Sequence, residues 1–279
     1  NKGNILKDLG HKQEALECYD KAVELNPRDS KAYTSKGNIL SDFGNKQEAL
    51  ECYDKAIELD PKNWYAYNGK ANALFHLGNK QDALECYDKA IELNPKFPVA
   101  YSNKGNVVSD LGNKQEALAY YDKALELESR YSQAYTNKGN ILKDLGHKQE
   151  ALECYDKAVE LNPRDSKAYT SKGNILSDFG NKQEALECYD KAIELDPKNW
   201  YAYNGKANAL FHLGNKQDAL ECYDKAIELN PKFPVAYSNK GNVVSDLGNK
   251  QEALAYYDKA LELESRYSQA YTNKGNILK

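Results

Sequence analysis

The 279-residue sequence has no methionine, only two tryptophans, and no cysteine close enough to another to form a pair motif. Each shortage excludes something. Six cysteines occur, Cys18, Cys52, Cys86, Cys154, Cys188 and Cys222, and the missing C-x-x-C spacing speaks against a metal or redox centre. They read as buried or half-buried thiols in a reducing, cytoplasmic setting. No apolar run approaches the length of a membrane-spanning helix, and no leader pattern opens the chain. Basic residues are not in excess, with 38 Lys and Arg against 42 Asp and Glu, so a nucleic-acid-binding face is not expected. The four histidines, His11, His76, His147 and His212, lie far apart and give no metal-ligand spacing. Glycines fall singly, so no phosphate cradle is present. No Ser-His-Asp or Cys-His arrangement recurs. Neither a metal nor a cofactor is therefore expected, and the chain does not read as an enzyme. Without Met even at position 1, it reads as something other than a complete reading frame.

What is present is repetition. Ala32-Tyr33 recurs every 34 residues through Ala270-Tyr271. Above this, residues 137–279 reproduce residues 1–143 letter for letter, an offset of 136. Such a copy implies an engineered tandem, a very recent duplication, or a chain built up from a periodic array.

Each unit predicts two helices. In residues 30–63, Tyr33, Gly37, Leu40 and Phe43 share one helical face. Gly44 stops that helix. Asn45 and Glu48 predict a capping box with Asn in place of Ser, and His11 and His147 take the same capping place in their units. The second helix carries Ala49, Leu50, Tyr53, Ala56, Ile57 and Leu59, with Glu48 and Glu51 early, where the helix dipole favours them. Pro61 begins the connector. Gly37 and Ala49 are expected to face each other at the helix crossing, so Gly37→Leu should cost about 1–3 kcal/mol. Charges such as Asp54, Lys55 and Glu58 read as a solvated face.

The order Tyr33, Gly37, Leu40, Ala49, Tyr53, Ala56, Pro61 resembles the tetratricopeptide repeat (TPR). Lys36 stands where the family has Leu, Ala71 replaces the glycine in one unit, and Ser129 replaces the proline in another. The resemblance implies an all-α, right-handed superhelical solenoid over residues 1–279. Its units are 30–63, 64–97, 98–131, 132–165, 166–199, 200–233 and 234–267, with partial units 1–29 and 268–279. It also implies a non-catalytic scaffold that binds an extended protein or peptide segment in a concave groove.

Several residues are candidates for that groove. Lys31, Thr34, Asn38, Ser41 and Asp42 share a face of the first helix. Along it runs an asparagine series, Asn4, Asn38, Asn72, Asn106, Asn140, Asn174, Asn208, Asn242 and Asn276. Each amide offers a donor and an acceptor to a peptide main chain; alternatively, it bonds to the neighbouring repeat. Tyr65, Phe75 and His76, repeated as Tyr201, Phe211 and His212, fall on the same face. They read either as an anchor pocket or, for Phe75, as packing against an adjacent helix. Lys31 and Lys167 partly offset the acidic residues, giving a mixed, mildly acidic groove. The family's clamp for a C-terminal carboxylate matches at Asn106, Asn137 and Lys167, but Ser102 and Ser171 stand where cations are needed. A different reading is a structural array that stacks end to end through Ile5, Leu6, Ile277 and Leu278 into fibres. A further reading is the recruiting arm of an enzyme whose catalytic domain lies elsewhere.

Overall fold

The computed structural model describes residues 3, 5, 6 and 9–278. Among these there are sixteen helices and no strand. Contacts divide the chain into two compact units, residues 1–141 and 142–279. The first holds α1 (Lys12–Leu25), α2 (Ser30–Asp42), α3 (Lys46–Leu59), α4 (Trp64–His76), α5 (Lys80–Leu93), α6 (Pro98–Asp110) and α7 (Lys114–Leu127). Helix α8 (Ser132–Asp144) runs across the boundary. The second unit holds α9 (Lys148–Leu161), α10 (Ser166–Asp178), α11 (Lys182–Leu195), α12 (Trp200–His212), α13 (Lys216–Leu229), α14 (Pro234–Asp246), α15 (Lys250–Leu263) and α16 (Ser268–Leu278).

Even-numbered helices are the first of each repeat and odd-numbered the second. Helices α2 and α3 form a hairpin, and α3 then packs on α4 of the next repeat. First helices also touch one another across repeats, α2 with α4 and α10 with α12. Second helices make no comparable contact with one another, so the first-helix side is the more closely packed, or inner, side of successive repeats.

The turn inside each hairpin follows from one glycine. Gly44 has φ +93°, a conformation other residues enter only with strain. It lets Asn45 N–H reach back to Leu40 O at 3.0 Å and Gly44 N–H to Ser41 O at 3.1 Å. This satisfies carbonyls the helix leaves open. The expected capping box is not made. Asn45 has ψ 62°, and its side chain makes no cap hydrogen bond. In the copy, Asn181 Nδ2 donates to Glu184 Oε1 at 3.1 Å, side chain to side chain. His11 and His147 behave alike, their Nδ1 atoms meeting Glu14 at 2.9 Å and Glu150 at 2.8 Å. The working N-cap is Asp29, which accepts from Lys31 N and Ala32 N at the start of α2.

The largest buried side chain in the core of each repeat is one tyrosine. Tyr53, Tyr87, Tyr189 and Tyr223 are each 1% exposed. Gly37 exists because of this ring: a Cβ there would stand 2.7 Å from Tyr53 Cε1. The atoms nearest to Gly37 are thus those of the tyrosine ring, one turn along the helix from Ala49. Gly69 of the next repeat presses on the same ring, its Cβ position 2.5 Å from Cε1. The cysteines are free; Cys52, Cys154 and Cys188 are buried and the other three half-buried.

Polar groups join the repeats. Ser30 donates to Ala56 O at 2.8 Å, and Asn63 Nδ2 donates to Ser30 Oγ and Thr34 Oγ1 at 2.7 and 2.9 Å. Lys36 pairs with Asp20 at 2.8 Å and Lys70 with Asp54 at 2.6 Å. The same pairing recurs through Lys274 and Asp258. Asp54 thus bridges repeats instead of forming a purely solvated face, while Lys55 and Glu58 do pair at the surface, at 2.9 Å.

Candidate functional site

Asn38, Asn72, Asn106, Asn174, Asn208 and Asn242 lie half-buried on the inner helices with their carbonyl oxygens already engaged, whereas Asn276 is exposed. Asn38 Oδ1 accepts from Tyr53 Oη at 2.8 Å. The pairs Asn106–Tyr121, Asn174–Tyr189 and Asn242–Tyr257 repeat this at 2.8 Å, and Asn72–Tyr87 and Asn208–Tyr223 form the same bond. Burial pushes the Tyr53 phenol well above its ordinary value, so it stays a donor. Three members accept a second bond from the next repeat: Asn137 donates to Asn106 at 2.9 Å, Asn239 to Asn208 at 3.1 Å and Asn273 to Asn242 at 2.8 Å.

The amide is therefore anchored through its oxygen, and Nδ2 is the group it has left to donate. Of the two alternatives drawn from the sequence, bonding within the array accounts for the oxygen, mostly inside its own repeat and in three cases also to the next one. The oxygen is structural, and the nitrogen of Asn38, Asn72, Asn106, Asn174, Asn208 and Asn242 has no acceptor among the described residues. Asn4 lies outside the described residues. Asn140 also has an interaction partner.

The other candidates divide between two places. A cleft of about 560 Å³ brings Lys31, Thr34 and Asn38 of α2 against Asp60, Lys62, Asn63, Trp64 and Tyr65. A second cleft, in the other unit, brings Phe211 against Asn242, Asn276 and Ile277. Tyr65 and Phe75 do not meet. They sit at opposite ends of α4, about 15 Å apart at 1.5 Å per residue. Phe75 instead packs half-buried on the core cluster of Leu40, Leu74 and Tyr87, with the His76 ring 5.7 Å away. Phe211 and His212 repeat that contact at 5.9 Å.

Tyr65 keeps other company. Trp64 stacks on it with ring centres 3.5 Å apart, and Phe97 stands edge-on to Trp64 at 4.4 Å. Trp64, Lys62 and Phe97 were not singled out in the sequence. Their signal was available, because Trp64 and Phe97 replace the small polar Ser30 and Asn63 of the preceding repeat.

The carboxylate clamp loses ground. Asn106 and Asn137 bond to each other, and Ser102 is fully buried. Lys31 and Lys167 are exposed and make no ion pair among the described residues. Among the described residues no three His, Cys, Asp or Glu converge to hold a metal ion. No helix among them is long and apolar enough to cross a membrane.

The tetratricopeptide repeat family model matches eight consecutive stretches, from residues 1–29 through 30–63 to 234–267. The chain belongs to the TPR family. YrrB, a TPR protein with an unusual peptide-binding site, is similar in structure at 28% identity and TM-score 0.54, over 69% of this chain and 99% of that one. MamA is similar at 27% identity and TM-score 0.51, over 59% and 96%. The APC/C assembly Cut9-Hcn1 shares the fold alone, at 16% identity and TM-score 0.82, over 96% of this chain and 53% of that one. No curated protein matches the chain by sequence comparison. As a TPR array, the chain is a protein-interaction scaffold.

Proposed function

We propose that this TPR chain is a non-catalytic scaffold that holds an extended peptide along its inner helices. The observation supporting this is that, within each compact unit, the asparagines are anchored through Oδ1, which leaves their Nδ2 donors without an acceptor among the described residues. Donors at fixed height suit the carbonyls of an extended chain. At about 3.3 Å per residue, and with helices about 8–10 Å apart, each repeat spans about three residues of an extended ligand.

Truncation to Ala would orphan the tyrosine hydroxyl and confuse the result. Asp keeps an oxygen for Tyr53 and Tyr87 while removing the Nδ2 donor. A peptide selected from a random display library on the unaltered chain is expected to lose at least tenfold in affinity for the Asn38→Asp, Asn72→Asp variant, with the melting curve nearly unchanged. Unaltered affinity with both substitutions present overturns the donor row.

A further inference from the structure

Resting on that reading and sharpening it, we propose that the cleft at the start of α4, with its copy at α12, takes an internal acidic segment of a partner chain that carries an aromatic residue. Charge selects the acid. Lys31 and Lys62 line the cleft, and neither meets a carboxylate among the described residues. The one lining carboxylate, Asp60, has an oxygen engaged by Lys62 N–H at 3.0 Å. Two cations against one partly engaged anion leave the cleft positive, in a chain whose net charge is -4. Helix α4 itself carries no Asp or Glu, and its N-terminal dipole points the same way.

Ring geometry selects the aromatic. Tyr65 is 57% exposed although it stacks on Trp64, so its outer face is open. Trp64 is held half-buried in the cluster of Ala90, Phe97 and Ala100, which fixes the platform. A ligand ring can add to this stack in an offset or edge-on geometry. The copy has the same residues, with Trp200 edge-on to Phe233 at 4.6 Å, but its Tyr201 ring lies tilted by 51° at 4.7 Å from Trp200 instead of stacked on it. The following repeat lacks these residues, because α6 opens with Pro98-Val99 where α4 has Trp64-Tyr65. Two such clefts per chain are expected.

The chain's two tryptophans, Trp64 and Trp200, both sit in these platforms, so their emission reports the site directly. The probes are synthetic peptides blocked at both ends: Asp-Glu-Phe-Glu-Asp, the same with Ala for Phe, and Lys-Lys-Phe-Lys-Lys. The acidic Phe peptide is expected to shift tryptophan emission, saturate at two per chain, and weaken at least tenfold in 500 mM salt. Replacing Phe by Ala should cost about tenfold, as should Lys31→Glu with Lys167→Glu. Tyr65→Ala with Tyr201→Ala should remove the aromatic preference while helix content is unchanged. Preference for the lysine peptide, or affinity indifferent to these variants, overturns the inference. If library-selected peptides still need Asn38 and Asn72 but the acidic Phe peptide gives no response, the cleft assignment fails and the donor row stands. If neither class binds, both fail.

Discussion

The junction between the second and third repeats and the one after it share a frame and differ in three details. At the first, Tyr53 is gripped by Gly37 of its own repeat and Gly69 of the next. At the second, Tyr87 has Ala71 and Asn103 in those places. The first is sealed by hydrogen bonds among Ser30, Thr34 and Asn63. The second has Trp64 and Phe97 at the positions of Ser30 and Asn63, and they meet edge to face. The second is tied by Lys80 to Asp110 at 2.5 Å, whereas Lys46 finds His76 at the place of that Asp and donates back to Ser41 O at 2.6 Å. The second helices barely change across this span. Architecture is thus carried by the odd-numbered helices, and the even-numbered ones are free to vary in chemistry.

Alkali should erase the contrast altogether. Burial raises the phenols of Tyr53 and Tyr87, and the hydrogen bond to Asp20 raises the Lys36 ammonium. A group whose folded pKa is raised contributes stability that is complete below its unfolded value, here 10.0 for Tyr, and is lost as pH climbs toward the folded one. Helix loss is expected above about pH 10, together with phenolate absorbance. Phenolate appearing for these rings while helicity persists would contradict their sealed placement.

Removing the rings one at a time restores the contrast. Tyr53→Ala opens a hole between two glycines that cannot fill it, and about 3–5 kcal/mol is expected, by the scale of other buried aromatics. Tyr87→Ala should fall at the lower end, since Ala71 and Asn103 supply some bulk. Repeat arrays do not unfold as one unit, so hydrogen exchange of α3–α5 against α5–α7 is the suitable readout. Equal losses would mean the glycines add nothing. Gly69→Asn, which copies Asn103 into the tighter seat, should cost about 1–3 kcal/mol by overpacking.

Much of this was legible in the sequence. The 34-residue period, the glycine stop and the helical faces all follow from spacing, because helices are local. The asparagine row was visible as a row, but its tyrosine partners were not recognised. Asn38 and Tyr53 stand 15 residues apart on different helices. That spacing recurs in every repeat and was the unread signal. The bridge from Asp54 to Lys70, 16 residues on, went unread for the same reason. Tyr65 and Phe75 shared a face on paper, yet a helix separates its ends by length, and angle alone cannot show that.

The smallest expected effect isolates the third difference. His76→Asp would place a carboxylate where Asp110 and Asp246 stand in the following repeats, each 2.5 Å from the lysine of the repeat before it. Lys46 should then leave Ser41 and cross the junction. Exposed pairs are worth about 0.2–1 kcal/mol, so the gain should be of that size and vanish in 500 mM salt. Asp110→His should lose the same amount at the next junction. The same gain from His76→Asp when Lys46 is Ala would show that the new charge acts through something other than this pair. A gain confined to the chain that keeps Lys46 would make the two junctions electrostatically alike, leaving the glycine seat and the aromatic platform as what distinguishes them.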